Sequence, residues 1–174
     1  LFLNYTPDGG SLSFSRENSG IDINGNGEGV GFADYDNDGD LDLYINVKNK
    51  SNQLWRTALD DDNYLKVDAR ISLSGGIYRS AVGANVILKD CQGNVISGIR
   101  EVPTTSGHGT DAPDLVHFGL PYGPDTTYNI EVRFVTINGI RKVVERSMTP
   151  SDFINQTVVV YDTDASLSSA CQDA

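Results

Sequence analysis

Cysteine, histidine, basic residues and long apolar runs are all scarce in this chain. Its 174 residues include two cysteines, two histidines, one tryptophan and one methionine. Cys91 and Cys171 could form one bridge, which would tether the tail to the domain; a denser disulfide framework is excluded. Two distant histidines, with neither the cysteines nor the HExxH spacing of a zinc site, argue against zinc. The longest apolar runs, such as Val158-Val159-Val160-Tyr161, are strand-sized and far below the roughly 20 residues a bilayer helix needs. With 13 basic against 24 acidic residues the formal charge is −11, a sign that disfavours phosphate backbones and anionic lipid as partners. No membrane span and no nucleic-acid partner are therefore expected. The chain opens Leu1-Phe2-Leu3, without an initiator methionine or a basic leader, which reads as a processed or excised fragment.

What is abundant is acid, concentrated in Asp34-Tyr35-Asp36-Asn37-Asp38-Gly39-Asp40-Leu41-Asp42. Side-chain oxygens of Asp34, Asp36 and Asp38, the backbone carbonyl of Asp40 and the carboxylate of Asp42 can converge on one point, because Gly39 permits the sharp turn between them. Calcium accepts about six to eight oxygen ligands in flexible geometry, whereas magnesium gives up its waters reluctantly, so calcium is the expected ion. Without a cation the crowded carboxylates repel one another. The spacing begins like an EF-hand loop, but Ile45 stands where the closing glutamate belongs. It also lies within Leu41-Asp42-Leu43-Tyr44-Ile45-Asn46-Val47, whose alternation predicts a half-buried strand. An ion pinning this turn would let Leu41, Leu43 and Ile45 present one face to the rest of the chain.

The run Gly29-Val30-Gly31-Phe32-Ala33 followed by DYDNDGDLDLYI resembles an FG-GAP repeat, the calcium-carrying blade unit of integrin-type β-propellers. That resemblance implies ligand roles for Asp34, Asp36, Asp38, Asp40 and Asp42. Leu1-Phe2-Leu3-Asn4 is similar to Gln53-Leu54-Trp55-Arg56, a period of roughly 52 residues. Pro7-Asp8-Gly9-Gly10 and the alternating Leu12-Ser13-Phe14-Ser15 predict a hairpin. Asp22, Asn24 and Asn26 offer oxygens for a second, weaker ion site, or form a glycine-rich turn beside the first. One blade cannot close a propeller ring, so its apolar face is expected to cover the remainder of the chain.

Residues 63–161 carry strand-like runs and no amphipathic helix. The runs are Tyr64–Val67, Ala84–Leu88, Asn94–Arg100, Tyr128–Phe134, Lys142–Glu145 and Thr157–Tyr161. Turn signals separate them, Asn138-Gly139 being a hairpin signal that needs positive φ at both positions. Short strands at this spacing predict an antiparallel β-sandwich. This region resembles the ASPIC/UnbV domain of the cartilage acidic protein family. The likeness is carried by Asn52-Gln53-Leu54-Trp55-Arg56, Arg79-Ser80-Ala81-Val82-Gly83-Ala84, His117-Phe118-Gly119-Leu120 and the pattern from Ile130 to Gly139. Where that family has a tryptophan-proline pair, this chain has Phe134-Val135. The expected organisation is a calcium-binding repeat over 1–57, an all-β sandwich over 58–162 and a tail over 163–174.

The expected function is an extracellular or cell-surface adhesion and recognition module, with structural calcium and a protein or glycan partner. Extracellular calcium modules work with dissociation constants of about 10⁻⁴ to 10⁻³ M, which fits an oxygen cage in that setting. Two alternatives stand beside it. A hydrolase or lyase acting on extracellular polymer could use Ser106, His108, Asp111 and His117, with its site in the polar loop from Thr104 to Pro113, although no G-x-S-x-G elbow is present. A glycan-binding module could use Tyr78, Tyr122 or Trp55 as a stacking platform, unless Trp55 packs in the core. Asn4, Asn49 and Asn155 each begin an N-x-[ST] acceptor triplet.

Overall fold

In a computed structural model, residues 2–4, 10–16, 21, 25–59, 61–104, 110–111, 113–135 and 141–165 are described. The regular structure is β apart from two short 3-10 turns, Pro150–Asp152 and Ile154–Gln156. The strands are β1 (Phe2–Asn4), β2 (Phe14–Arg16), β3 (Asn26–Ala33), β4 (Asp42–Lys48), β5 (Gln53–Trp55), β6 (Tyr64–Ser72) and β7 (Tyr78–Ser80). They continue with β8 (Asn85–Lys89), β9 (Arg100–Glu101), β10 (Val116–Gly119), β11 (Tyr128–Val135), β12 (Arg141–Met148) and β13 (Thr157–Tyr161).

The first half of the chain forms a β1-β2 pair and a three-stranded sheet ordered β3-β4-β5, all antiparallel. The second half forms two four-stranded sheets. One is ordered β12-β11-β8-β9; the other is β10-β6-β13 with β7 also paired to β6. Period-two alternation aims Tyr128, Ile130, Val132 and Phe134 of β11 to one side, and all four are fully buried. Leu65, Val67 and Ala69 of β6, Val86 and Leu88 of β8, and Val158 and Val160 of β13 join them in one core. Each buried apolar side chain of this size contributes about 1.5–3 kcal/mol relative to exposure, so this shared core is the main stabilising mass of the molecule.

Two features depart from the alternating-strand expectation. The pairing of β13 with β6 is parallel, because the chain leaves β12 and crosses to the other sheet through the two 3-10 turns. The predicted strand Asn94–Arg100 is not continuous: Val95 makes a single bridge to Lys89, and ladder pairing resumes only at Arg100. The Asp90 carboxylate accepts hydrogen bonds from the backbone N–H groups of Gln92 and Asn94, and this local turn leaves Val95 and Ile99 exposed. β11 and β12 pair through to Val135 and Arg141, flanking the predicted Asn138-Gly139 turn, which lies outside the described residues. Cys91 is disulfide-bonded; Cys171, the second cysteine, also lies outside them.

Strand β6 is buried on both faces. Tyr64, Lys66 and Asp68, which alternate with its core residues, are also buried, and the turn after β3 lies over Tyr64 and Lys66. A smaller anchor is made by Tyr128, whose Oη donates to Gly123 O at 3.0 Å and accepts from Tyr122 N at 3.2 Å. Tyr128→Phe is expected to cost about 1 kcal/mol, the usual worth of such a bond, read as a lower urea midpoint with an unchanged slope.

Candidate metal centre

The acidic segment connects β3 to β4, and its own side chains shape the turn. Asn37 adopts φ 60° and Gly39 φ 99°, while Asp38 Oδ1 accepts from Asp40 N at 3.1 Å. Asp42, at the first position of β4, is almost fully buried. It closes the loop by accepting from Tyr35 N at 3.2 Å and from Thr57 N at 2.8 Å. One carboxylate oxygen from each of Asp34, Asp36 and Asp42 lies within 4.8 Å of the others. Oxygens on opposite sides of a calcium ion are at most about 5 Å apart, given bonds of about 2.3–2.6 Å. These three side chains could therefore hold a metal ion.

Asp34 supplies the most telling atom. Its Oδ2 pairs with Lys66 Nζ at 2.8 Å, with side-chain exposures of 5% and 8% for the two residues. Its Oδ1 is buried and has no hydrogen-bond partner. A buried carboxylate oxygen without a donor is costly, and a cation in the adjoining cluster would satisfy it. The residues present fit a hard divalent ion with oxygen ligands.

The carboxylates of Asp38 and Asp40 are turned to other partners. Arg56 Nε lies 2.6 Å from Asp36 Oδ2, and its Nη2 lies 2.8 Å from Asp38 Oδ2. The Arg56 guanidinium, seconded by the Asp40 N–H, holds the Asp38 carboxyl below the usual carboxylate range. Asp40 is buried, and its Oδ2 accepts from Leu59 N at 2.6 Å. The sequence role of Asp40 as a ligand concerned its backbone carbonyl, which this side-chain bond leaves open. Of the second candidate set, Asp22 and Asn24 lie outside the described residues, and Asn26 is exposed in β3.

The turn is docked on the second half of the chain. His117 Nε2 lies 2.8 Å from Gly39 O; since a carbonyl only accepts, this nitrogen carries the proton. The His117 ring stacks on Tyr64 at 5.9 Å with 10° between planes. Burial pushes the imidazole below the ordinary histidine value, and the bond to Gly39 opposes part of that shift. Thr57 Oγ1 donates to Leu41 O at 2.7 Å, and Lys66 Nζ sits 5.1 Å from the Tyr64 ring centroid. Of the apolar residues expected to face inward, Ile45 is buried, Leu43 is half-buried and Leu41 is exposed.

Sequence reasoning overlooked Lys66, Arg56, Thr57 and Leu59 as partners of the loop. Lys66 did leave a signal: a lysine within the otherwise apolar run Tyr64-Leu65-Lys66-Val67 requires a buried acid, because lysine is almost never buried unpaired. The other three contribute guanidinium or backbone donors whose aim depends on the fold. Of the residues weighed for catalysis, Ser106 and His108 lie outside the described residues, and His117 is committed to Gly39. Trp55 is half-buried on β5 with its indole N–H donated to Gln53 Oε1, and Tyr78 packs at 4.5 Å on Tyr161. Asn49 and Asn155 are both exposed, at φ 58° and 49°.

No family model matches the chain, and no curated protein matches it.

Proposed function

We propose that this chain is a calcium-binding adhesion or recognition module, in which the ion is structural and sets the Asp34–Asp42 turn. The observation that carries the reading is the orphaned, buried Oδ1 of Asp34 beside the carboxylates of Asp36 and Asp42. Asp34, Asp36 and Asp42 would hold the ion, with further oxygens from the turn. The charge around the loop supports a cation. Five aspartates face only Lys66 and Arg56 as paired cations among the described residues, leaving an excess of three negative charges that one divalent ion would largely offset.

On this reading the first half is a propeller-type repeat of the FG-GAP kind, and the second an ASPIC/UnbV-like β-sandwich. An extracellular or cell-surface setting is supported by the disulfide at Cys91 and by the calcium supply available there. The partner would be a protein or a glycan.

The test is calorimetric unfolding in calcium and in chelator. Calcium at about 100 times its dissociation constant stabilises by about 2.7 kcal/mol, which for a chain of this size raises the melting temperature by about 5–10 °C. Asp36→Ala, an exposed position with no core packing to lose, is expected to abolish most of that rise while leaving the chelator melt nearly unchanged. A wild-type melt that is the same in calcium and chelator would overturn the reading.

A further inference from the structure

Beside the metal cluster, between β3 and the segment leading into β9, lies a cavity of about 320 Å³. Its apolar walls include Phe32 from the first half of the chain and Ile99, Pro103, Pro113 and Leu115 from the second. Phe32 is 51% and Ile99 61% exposed. Two large apolar side chains on opposite halves thus border one cleft, which exists because the halves are docked.

Arg100 stands in the same cleft. Its guanidinium carbon lies 5.5 Å from the Phe118 ring centroid, yet the guanidinium has no hydrogen bond or ion pair among the described residues. That sets it apart from Arg56, Arg70 and Arg133, each of which pairs with a carboxylate. Of the other basic groups in the cleft, Lys66 is held by Asp34 and His117 donates to Gly39 O, which leaves Arg100 as the cation open to a ligand there; Asp34, Asn37 and Glu101 also line it. In a chain of charge −11, an uncommitted guanidinium against an apolar wall is an anion-recognition element, because its fork matches a carboxylate bidentately. The carboxylates of Asp34 and Glu101 in the cleft lining disfavour a second anionic group on the ligand. The volume is at the low end of small-molecule sites, about 300–1,000 Å³, which suits a ring or short alkyl chain rather than a polymer.

We propose that this cleft binds a small amphiphilic monocarboxylate, with Arg100 taking the carboxylate and Phe32 and Ile99 flanking the apolar body. Asp34 borders both this cleft and the candidate metal cluster, but Arg100, Phe32 and Ile99 are not candidate ligands, so a titration in chelator tests the cleft separately from the calcium reading.

The test is a titration of the isotopically labelled whole chain, in chelator, with 3-phenylpropionate and with its neutral amide, followed by backbone NMR shifts. Saturable shifts centred on Phe32, Ile99, Arg100 and Leu115 are expected for the acid, with the amide about 10-fold weaker or more, a difference of about 1.4 kcal/mol. Arg100→Gln should erase the preference for acid over amide, and Phe32→Ala should weaken both ligands. The peptide acetyl-Gly-Gly-Phe is a further arm. Tighter binding of the peptide assigns the carboxylate to a chain terminus, and tighter binding of the free acid assigns it to a small metabolite. Equal affinity for acid and amide, shifts centred elsewhere, or no saturation by about 20 mM, a weak limit even for a fragment of this size, would each overturn the proposal. If Arg100→Gln does not fold, the ratio of acid to amide affinity on the unaltered chain decides alone.

Discussion

Gly39→Ala is expected to destabilise the protein by about 3 kcal/mol or more and to blunt its response to calcium. Two costs combine at this position. At φ 99° an L side chain is strained, a penalty of about 1–2 kcal/mol. A Cβ there would also lie 2.1 Å from Tyr64 Cε1, and overpacking of a tight site costs about 1–3 kcal/mol. Tyr64 is buried and stacked on His117, so the ring cannot swing away without unstacking, and the turn must lift instead. Lifting would pull Gly39 O from His117 Nε2 and move Asp38 and Asp40 with it. Gly75→Ala is the control, since Gly75 has φ 80° and nothing within 4 Å of the point a methyl carbon would occupy. It should lose only the strain, about 1–2 kcal/mol. Equal losses at the two glycines, measured by urea unfolding in chelator, would mean that the turn is not seated on Tyr64.

Lys66→Met should be the second large effect, a loss of about 3–5 kcal/mol in chelator. Its ammonium is the buried partner of Asp34, and removing one member of a buried pair leaves an uncompensated charge of about that cost. Asp34 would then hold two buried oxygens without donors, since Oδ1 already lacks one. Calcium should therefore stabilise the Lys66→Met protein more than the unaltered one, because the ion would take over compensation of the carboxylate. Adding Asp34→Asn should recover part of the chelator loss while removing the calcium gain. A single variant within about 0.5 kcal/mol of the parent, the range of ordinary surface substitutions, would show that the pair is solvated in solution.

Much of the strand order was legible in the chain, because burial on one face imposes a period of two. Tyr128–Phe134 announces β11 in this way and the alternation of Leu41–Val47 announces β4, while β13 is announced by the short β-branched run Thr157–Tyr161. Asn94–Arg100 was misleading for a physical reason: it carries Val95, Ile96 and Ile99 as a strand would, but Asp90 folds the preceding backbone into a turn with its own carboxylate. Alternation also says nothing about the direction of a partner, so the parallel pairing of β13 on β6 could not be read from it.

At the candidate site, the local chemistry belongs to the sequence. A dense set of aspartates around Gly39 determines that a turn forms there and that it is short of positive charge, since ligand spacing and glycine's freedom at positive φ are properties of consecutive residues. Which carboxylates share a point, and which are claimed by Arg56, Leu59, Thr57 and Lys66, was decided only by the tertiary structure. Those donors arrive from residues distant in the chain, and an electrostatic contact depends on separation in space. The docking of the turn on Tyr64 and His117, and the cleft that this docking leaves beside Arg100, arise from the same packing of one half against the other.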